Sequence, residues 1–428
     1  MKKKFALILA FALTMSLLTS CELMVPGPTQ RPAIGQTERP SIDSAEPTGS
    51  AGPSPSQTLW QEGVGPDFDR RFSQFGHYVC ATGDSVYFNT YGNNLIRYVD
   101  KATGICLPLC GKPECLHIDD TCNAYLYGAG YGAYCLTNYD GRLYWVGQSK
   151  NTRNRCIFSM AYDGTDRRIH RELDSEVIGS SFTNWNLQFH RGYLYWSYQT
   201  QEVVDAEARE TARVIAFPID SDGESFVIFE ESLSDASLNI QSYGDSVYIH
   251  IHGVDEGGFF LHLYRWDVRK GKLETLYLGN TPCLVDRDFW VTEDGIMLLG
   301  EVPTGPEEQL WASREYNVYR ISFESGEIEQ MYQFQVGGNM NIIAADGVFV
   351  GNMLTDSNGI RILVKDFAGQ TALDTVFEDV DWNNPPNFMS GFGMDESYLY
   401  FFMWIDKFIA VSRGGSEIKL LWSSDTGS

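Results

Sequence analysis

Seven short stretches of the sequence repeat one pattern, a tight turn followed by an aromatic or apolar strand. They read GDSVYF (83–88), DGRLYW (140–145), RGYLYW (191–196), GDSVYI (244–249), DGIMLL (294–299), DGVFVG (346–351) and DESYLYFF (395–402). The second turn residues of successive copies are 57, 51, 53, 50, 52 and 49 positions apart, an average of 52. Turn-forming residues before a run of β-formers are typical of a hairpin. A hairpin that recurs at this interval predicts a repeat array.

Each copy is followed by a third strand, a second tight turn and a short fourth strand, as in LYRWDV (263–268) and LETLYL (273–278). Four antiparallel strands per repeat, arranged radially, make a β-propeller. Seven blades of 52 residues occupy 364 of the 428 residues and leave 64 at the N-terminus. The predicted fold is therefore all-β, a seven-bladed β-propeller of four-stranded antiparallel blades over residues 65–428, with six or eight blades as alternatives.

The composition agrees with an all-β chain and excludes other classes of protein. Aromatic residues make up 14% of the chain and charged residues only 21%, which does not fit a coiled coil or a long-helix protein. The 43% apolar content excludes wholesale disorder. A mean hydropathy of -0.23 excludes a polytopic membrane protein.

The first 20 residues have the three parts of an export signal. Lys2–Lys4 form a basic start, the apolar run 5–18 is too short to span a bilayer, and Leu18–Cys21 follows with small residues before the cysteine. This ending resembles the bacterial lipobox. The resemblance implies cleavage before Cys21, diacylation of its thiol with palmitate as the expected acyl group, and a location on the extracytoplasmic side of the cell membrane. The alternative is an ordinary secretory signal in which Cys21 falls by chance.

Residues 21–64 are predicted to be a tether between this lipid anchor and the propeller. Seven of the 16 prolines lie between Val25 and Thr58, mixed with Ser, Thr, Gly and Gln. Such a segment cannot bury a core and favours extended conformers.

The net charge limits the partners. The whole chain carries -24, and removal of residues 1–20, which hold three lysines and no acids, changes this to -27. Phosphates would be repelled, so nucleic acid and anionic lipid are excluded as partners. The protein is expected to be a monomer.

Two further motifs carry a family resemblance. The Tyr-Trp strands at 144–145 and 195–196 resemble the repeats of LDL-receptor-type and TolB-type propellers. The segment PLCGKPECLHIDDTCNAY (108–125) resembles a cysteine motif of uncharacterised propeller lipoproteins from clostridial-type bacteria. The resemblance implies a propeller on a lipid anchor and carries no established activity.

The loops predict which face of the propeller binds a ligand. In a four-stranded meander, the turn that joins strands one and two lies at the same end as the turn that joins strands three and four. In this sequence both of these turns are short. The connections at the other end are longer, notably 199–213, 302–317, 106–134, 174–186 and 378–387. Long loops on a rigid scaffold are where binding residues usually lie. Four tryptophans in or beside them are candidates for stacking on a sugar or anchoring a protein, with the alternative that they cover the blade ends: Trp185, Trp311, Trp382 and Trp404.

A cysteine-rich insertion at 106–135 is the sharpest local signal. Within it, Cys110, Cys115, His117 and Cys122 offer three thiols and an imidazole, a set that zinc binds tetrahedrally. The competing interpretation is disulfides, such as Cys106–Cys122 or Cys110–Cys115, which the compartment permits. Either role is structural, because nothing nearby supplies a base and an open ligand position. The other strand cysteines are expected to be core residues.

Catalytic motifs are absent from the sequence: it contains no G-x-S-x-G, phosphate loop or H-E-x-x-H. His250 and His252 alternate in one strand and could form half of a metal site, although satisfied core histidines are commoner. The favoured function is a non-catalytic binding module for a glycan, peptide or envelope partner. The alternative is a secreted carbohydrate-active hydrolase or lyase, which requires acids, or an acid with His or Tyr, converging at the central funnel.

Overall fold

A computed structural model of the chain describes its strands and most of its tight turns. The residues described are 70–71, 78–89, 94–127, 134–152, 154–173, 181–204, 207–219, 223–233, 236–255, 257–281, 284–302, 313–337, 341–345, 347–354, 359–377, 389–395, 397–403 and 407–423. They form seven four-stranded antiparallel sheets, each a meander of consecutive strands. The predicted seven-bladed propeller is confirmed, and neither six nor eight blades is correct. No helix with the length and apolar character needed to cross a bilayer occurs in the described ranges.

The 28 strands follow one another in order along the chain. Blade 1 consists of β1 (Val79–Ala81), β2 (Ser85–Asn89), β3 (Ile96–Asp100) and β4 (Cys106–Pro108). Blade 2 consists of β5 (Tyr134–Tyr139), β6 (Arg142–Gln148), β7 (Arg155–Ala161) and β8 (Arg168–Glu172). Blade 3 consists of β9 (Ser181–His190), β10 (Tyr193–Val204), β11 (Glu207–Pro218) and β12 (Phe226–Leu233). Blade 4 consists of β13 (Ala236–Tyr243), β14 (Ser246–Asp255), β15 (Gly258–Asp267) and β16 (Lys272–Asn280).

The remaining strands complete the ring. Blade 5 consists of β17 (Leu284–Val291), β18 (Gly295–Val302), β19 (Ser313–Ser322) and β20 (Ile328–Gly337). Blade 6 consists of β21 (Asn341–Ala345), β22 (Val348–Leu354), β23 (Ile360–Asp366) and β24 (Thr371–Phe377). Blade 7 consists of β25 (Met389–Met394), β26 (Tyr398–Met403), β27 (Lys407–Ser412) and β28 (Ile418–Ser423).

One predicted long loop is wrong. The segment 199–213 was expected to be an irregular connection. Its described residues instead belong to β10 and β11, two 12-residue strands that pair along their whole length to Val204 and Glu207. The physical reason is that β-branched residues such as Val203 and Val204 favour extended structure. Regular pairing in blade 3 therefore continues over positions where an irregular loop was expected.

The first strand of each blade lies nearest the axis. These strands contact one another around the ring, from β1 to β5 and onward through β9, β13 and β17 to β21, and β1 also contacts β25. Blades 7 and 1 each use a continuous stretch of chain, so no strand is exchanged at the seam. The seam is held instead by packing, including a stack of Phe88 on Phe408 at 4.3 Å, and by a 2.7 Å ion pair between Lys101 and Asp395.

Two buried glutamines join neighbouring inner strands. Gln241 of β13 donates through Nε2 to the carbonyl oxygen of Phe289 at 3.1 Å, and its Oε1 accepts from the amide of Val291 at 2.6 Å. Gln188 of β9 likewise donates to Ile240 O at 2.9 Å and accepts from the Ser242 hydroxyl at 2.7 Å. An inner strand is a sheet edge with unpaired backbone groups. The Gln241 side chain therefore serves as a substitute peptide group for the edge of the next blade, and Gln188 makes one such backbone bond and one bond to a side chain.

Arg70 and Arg71 contact inner strands of several blades near the turns that join first and second strands. The amide of Arg70 donates to Ser242 O at 3.1 Å, and its guanidinium donates to Asn138 O of blade 2. Arg71 donates to Val291 O at 2.5 Å, with its guanidinium carbon 4.1 Å from the ring centre of Tyr243 and 4.5 Å from that of Trp290. The pair thus ties together the inner strands of blades 2, 4 and 5.

Candidate metal centre and the cavity beside it

The Cys-rich connection after β4 brings the four predicted ligands together. The ligand atoms of Cys110, Cys115, His117 and Cys122 all lie within 4.8 Å of one another, and His117 Nδ1 is 3.2 Å from Cys122 Sγ. Tetrahedral zinc with bonds of about 2.0–2.3 Å places its ligand atoms roughly 3.3–3.8 Å apart. The tetrad could therefore hold a metal ion such as zinc with a small inward movement of the side chains.

Two turns place the ligands. The amide of Cys115 donates to Lys112 O at 3.2 Å, which closes a turn that contains Pro113, and the amide of Cys122 donates to Asp119 O at 3.1 Å. In the second turn, the Asp119 carboxylate also accepts from the amide of Thr121 at 3.0 Å. Pro and Asp at these turn positions follow from their local preferences.

His117 adopts a left-handed backbone conformation, with φ of 58°. This region is uncommon for residues other than glycine and is retained only where surrounding contacts enforce it. The conformation turns the imidazole toward the thiols, while the neighbouring Leu116 and Ile118 are 79% and 72% exposed. Local backbone strain therefore coincides with a ligand position.

Two glycines let this connection dock onto blade 2. Gly111 donates through its amide to Gly164 O at 3.2 Å, and Gly164 lies in the turn between β7 and β8 with φ of 76°. A Cβ on Gly164 would lie 2.7 Å from the backbone nitrogen of Cys110, and one on Gly111 would lie 2.5 Å from Thr165 Cγ2. Glycine is required at position 164, where the added Cβ would meet backbone atoms and φ is positive, whereas a side chain at position 111 would require the Thr165 side chain to move.

The charges around the tetrad suit thiolate ligands. Zinc with three thiolates and a neutral imidazole carries a net charge of -1. Lys112 and Arg167 lie beside it: the Lys112 ammonium donates to Thr121 O, and Arg167 donates to the carbonyl of Tyr125 and to Asn123 O at 3.0 Å. Two cations therefore lie beside the charge that metal binding would leave here, together with the acids Asp119 and Asp120 of the same connection.

The thiols of the connection form no disulfide in the structure, and the pKa of Cys122 is shifted. Burial raises the pKa of Cys122 to about 12, and the thiols of Cys115 and Cys110 add to the rise. The seven cysteines in the described ranges are all free thiols, so neither suggested pairing, Cys106–Cys122 or Cys110–Cys115, is formed. A bound metal would displace the thiol proton of Cys122 and release it to solvent.

Three of the strand cysteines predicted to be core residues are described, and all three lie in the core. Cys80, Cys135 and Cys156 are buried, and burial raises the pKa of all three thiols, to about 12 for Cys80 and about 11 for Cys156. Such thiols are inert at neutral pH. Cys21 and Cys283 lie outside the described residues.

A cavity of about 380 Å³ adjoins the tetrad. One wall is the connection itself, with Lys112, Asp120 and Tyr127, and the other is blade 2, with Lys150 and Arg167. Lys150 belongs to the turn between β6 and β7 and forms an ion pair with Asp120 across the cavity. The cavity therefore lies where the blade-to-blade connection meets blade 2, between the turn that joins β6 to β7 and the start of the outer strand β8.

The four candidate tryptophans fall beyond the described side chains. Trp311, Trp382 and Trp404 lie outside the described residues, and Trp185 lies in β9 with its side chain outside the description. The cavity residues Lys150, Tyr127 and Arg167 were missed by sequence reasoning. The available signal was a concentration of positive charge at 150–155 and 166–168 in a chain of net charge -24.

His250 and His252 lie on one face of β14, as predicted, with ring centres 4.9 Å apart. His250 is fully buried and stacks on Phe289 at 4.9 Å, and neither of its ring nitrogens has a hydrogen-bond partner. Burial, and then the charge of His252, hold the pKa of His250 well below its ordinary value. In the described residues this pair joins no third metal ligand.

We expect His250 to make folding stability depend on pH. The folded state keeps this imidazole neutral while the unfolded chain protonates it at about pH 6.5, so its contribution is complete above pH 6.5 and is lost as the pH falls below it. The expected slope is about 1.4 kcal/mol per pH unit between pH 6.5 and 5. The free energy of unfolding, measured with urea at a series of pH values, should depend less steeply on pH in His250→Leu than in the parent. In His170→Gln, on β8, it should keep the parent's pH dependence. Equal slopes for all three proteins would refute this assignment.

An acid, a histidine and a tyrosine also meet between blades 3 and 4. Glu231 accepts from Tyr264 OH at 2.9 Å, and its other oxygen lies 2.9 Å from His262 Nδ1. Glu231 is on β12, the outermost strand of blade 3, so this cluster lies at the outer blade interface and not at the central funnel. Its contacts are those of a link between two blades.

None of the known protein-family profiles matches the chain, and no curated protein matches it. Solved structures with a similar fold include a puromycin-hydrolyzing peptidase of Mycobacterium tuberculosis, with 11% identity and a TM-score of 0.48 over 85% of this chain and 56% of that one. An oligogalacturonate lyase in complex with manganese has 12% identity and a TM-score of 0.46, covering 81% and 88%. The β-propeller domain of the Trilobed protease from Pyrococcus furiosus has 13% identity and a TM-score of 0.43, covering 83% and 96%. The chain thus spans 56% of the length of the first peptidase, and its likeness to all three is one of fold.

Proposed function

We propose that the protein is a lipid-anchored, extracytoplasmic binding module that takes its ligand in the cavity between the Cys-rich connection and blade 2. The observation that carries this proposal is the cavity itself, about 380 Å³, within the range of small-molecule sites. Its two walls come from different structural units, so they form a concave site that neither makes alone. The long-loop face remains part of the proposal, with its four tryptophans as further contacts.

We further propose that Cys110, Cys115, His117 and Cys122 bind one structural zinc ion. Four protein ligands fill a tetrahedral site and leave no position for water, which is the arrangement of structural sites. The segment from Gly111 to Thr121 is largely exposed and has little core of its own. A metal would therefore supply the order that this wall of the cavity lacks.

The anchor and tether complete the proposed function. Acylation of Cys21 would hold the protein on the extracytoplasmic side of the membrane, and the tether at 21–64 would hold the propeller at a distance from it. Two acyl chains provide a stable anchor where a single chain does not. Metabolic labelling with a palmitate analogue should mark the parent and not Cys21→Ala, and labelling of both would overturn the anchor.

The enzymatic alternative requires converging catalytic groups at the funnel. The cluster of Glu231, His262 and Tyr264 lies at the outer interface of blades 3 and 4 and serves to join them. We therefore favour binding over hydrolysis or elimination.

Glycan and peptide arrays test the binding function. The probe is the chain from residue 47 onward, which forms a compact unit of its own, loaded with zinc. We expect specific retention on one array, lost after chelation of zinc and after Tyr127→Ala in the cavity wall. Tyr277→Ala is the matched control, because Tyr277 is also half-buried but lies on β16 of blade 4 and not in the cavity wall, and it should retain binding. Silence on both arrays, or retention that survives Tyr127→Ala and chelation, would overturn the cavity as the binding site.

A further inference from the structure

The cavity differs in charge from the rest of the chain. Its lining includes the cations Lys112, Lys150 and Arg167 and one acid, Asp120, and the neighbouring Asp119 interacts electrostatically with Lys150. A zinc ion with three thiolates beside it would add -1, so the local sum is about zero in a chain of net charge -24. Charges beyond a Debye length of about 8 Å are screened at physiological salt, so a ligand in the cavity interacts mainly with these nearby groups.

The lysines retain donors for a ligand. The Lys150 ammonium is bound by Asp120 and its side chain is 59% exposed, and the exposed Lys112 ammonium is bound by Thr121 O. An ammonium group has three N–H donors, so each keeps two for a further acceptor. Hydrogen bonds from a cation to an anion are about twice as strong as neutral ones.

The remaining lining fits a sugar better than an inorganic ion. Tyr125, Tyr127 and Phe158 supply aromatic surface, and Gln148 and Asn151 supply amides. Amides bond hydroxyl groups in both directions, and aromatic faces pack against the apolar face of a sugar ring. A volume of about 380 Å³ is large for one inorganic anion.

We infer that the cavity binds an acidic sugar, a sugar ring that carries a carboxylate or a phosphate group, with Lys150 and Lys112 on the anionic group. This inference rests on the proposed binding function and names its ligand class. Because Lys112 and Asp120 lie on the metal-binding connection, loss of the metal also removes half of the site.

Calorimetric titration of the zinc-loaded chain tests the inference with four probes: glucuronate, glucose 6-phosphate, glucose and inorganic phosphate. We expect glucuronate, glucose 6-phosphate or both to bind about tenfold or more tighter than glucose and than inorganic phosphate. Binding of glucuronate would identify the anionic group as a carboxylate, and binding of glucose 6-phosphate would identify it as a phosphate. Lys150→Gln should weaken that binding at least about fivefold while the protein retains one zinc. Lys272→Gln on β16, whose side chain is 66% exposed and far from the cavity, should leave it unchanged.

Three results would overturn the inference: glucose that binds as tightly as the acidic sugars, inorganic phosphate that binds as tightly as they do, or no acidic sugar bound at about 10 mM. An acidic sugar that binds Lys150→Gln with unchanged affinity would likewise place the site elsewhere. Specific retention of a neutral glycan or a peptide on the arrays, lost with Tyr127→Ala, would overturn the ligand class and leave the binding function standing. Silence on the arrays together with failure of every probe would overturn both.

Discussion

Substitution of Cys115 by alanine is expected to reduce the zinc content of the purified protein from one ion per chain to nearly none. Four-ligand structural sites bind zinc with about 10–16 kcal/mol, so loss of one ligand of four costs on the order of 3 kcal/mol, or about 150-fold in affinity. Cys115 is half-buried at the end of the first ligand turn, so its removal leaves the blade cores intact. Elemental analysis after dialysis against a weak chelator measures the loss.

The matched control is Cys106→Ser. Cys106 is also a half-buried free thiol, but it lies in β4 and outside the tetrad. It should keep one zinc per chain. Zinc absent from the parent protein, or retained at full stoichiometry by Cys115→Ala, would overturn the metal site. A parent protein without zinc that resists thiol alkylation until it is reduced would support the disulfide alternative.

Hydrogen exchange should show that the effect of this substitution is local. The second half of the connection is pinned by Leu126, whose amide donates to Asn94 O, and by Ala124, whose carbonyl accepts from the amide of Ile96. Leu109, Ala124 and Leu126 are buried in the core shared by blades 1 and 2. Faster exchange is therefore expected within 110–123, with 124–127 protected as in the parent.

The fold was readable from the sequence because its signals are local and repeated. Tight turns such as Asp140–Gly141 and Arg191–Gly192 place both residues at positive φ, as two-residue hairpins require, and the alternation after each turn sets the buried face. The prediction from sequence failed at 199–213, because an extended hairpin and an irregular loop can have a similar amino-acid composition. The pairing of β10 with β11 over all 12 positions is a tertiary fact that spacing does not encode.

The metal tetrad was found from residue types alone, whereas the cavity was not. Cysteines and a histidine within 13 residues bind in a limited number of ways, so their type carries the chemistry. Lys150 reaches Asp120 only because the connection after blade 1 folds against blade 2, with Gly111 and Gly164 in backbone contact. Residues 30 to 50 positions apart with ordinary side chains give no sequence signal of that meeting.

The glutamines of the inner ring were also missed, although a signal existed. The motif N-L-Q at 186–188 recurs as N-I-Q at 239–241, at the repeat interval of 53. A polar residue in the middle of a buried strand is a local inconsistency, and such a position is explained by a partner outside its own blade. The structure supplies that partner as the free edge of the next inner strand.

Substitution of Gln241 by alanine is therefore expected to be among the most destabilising single changes in the propeller. It removes both hydrogen bonds to the edge of blade 5 and leaves Phe289 O and Val291 N unpaired where Gln241 itself is 0% exposed. A buried donor or acceptor left without a partner costs about 1–3 kcal/mol, so the two together should lower the free energy of unfolding by roughly 2–6 kcal/mol. The urea midpoint should fall while the slope of the transition is preserved.

The matched control for this prediction is Gln330→Ala. Gln330 lies exposed on β20, the outer strand of blade 5, and donates to Asn317 Oδ1 at 3.1 Å. Water replaces that bond when the side chain is removed, so the change should stay within about 0.5 kcal/mol. If Gln241→Ala proved as stable as Gln330→Ala, the inner strands would be held by apolar packing alone and the amide links would have no energetic role. A large difference between the two variants would instead place the cohesion of this ring in side-chain amides that replace the missing backbone pairing between blades.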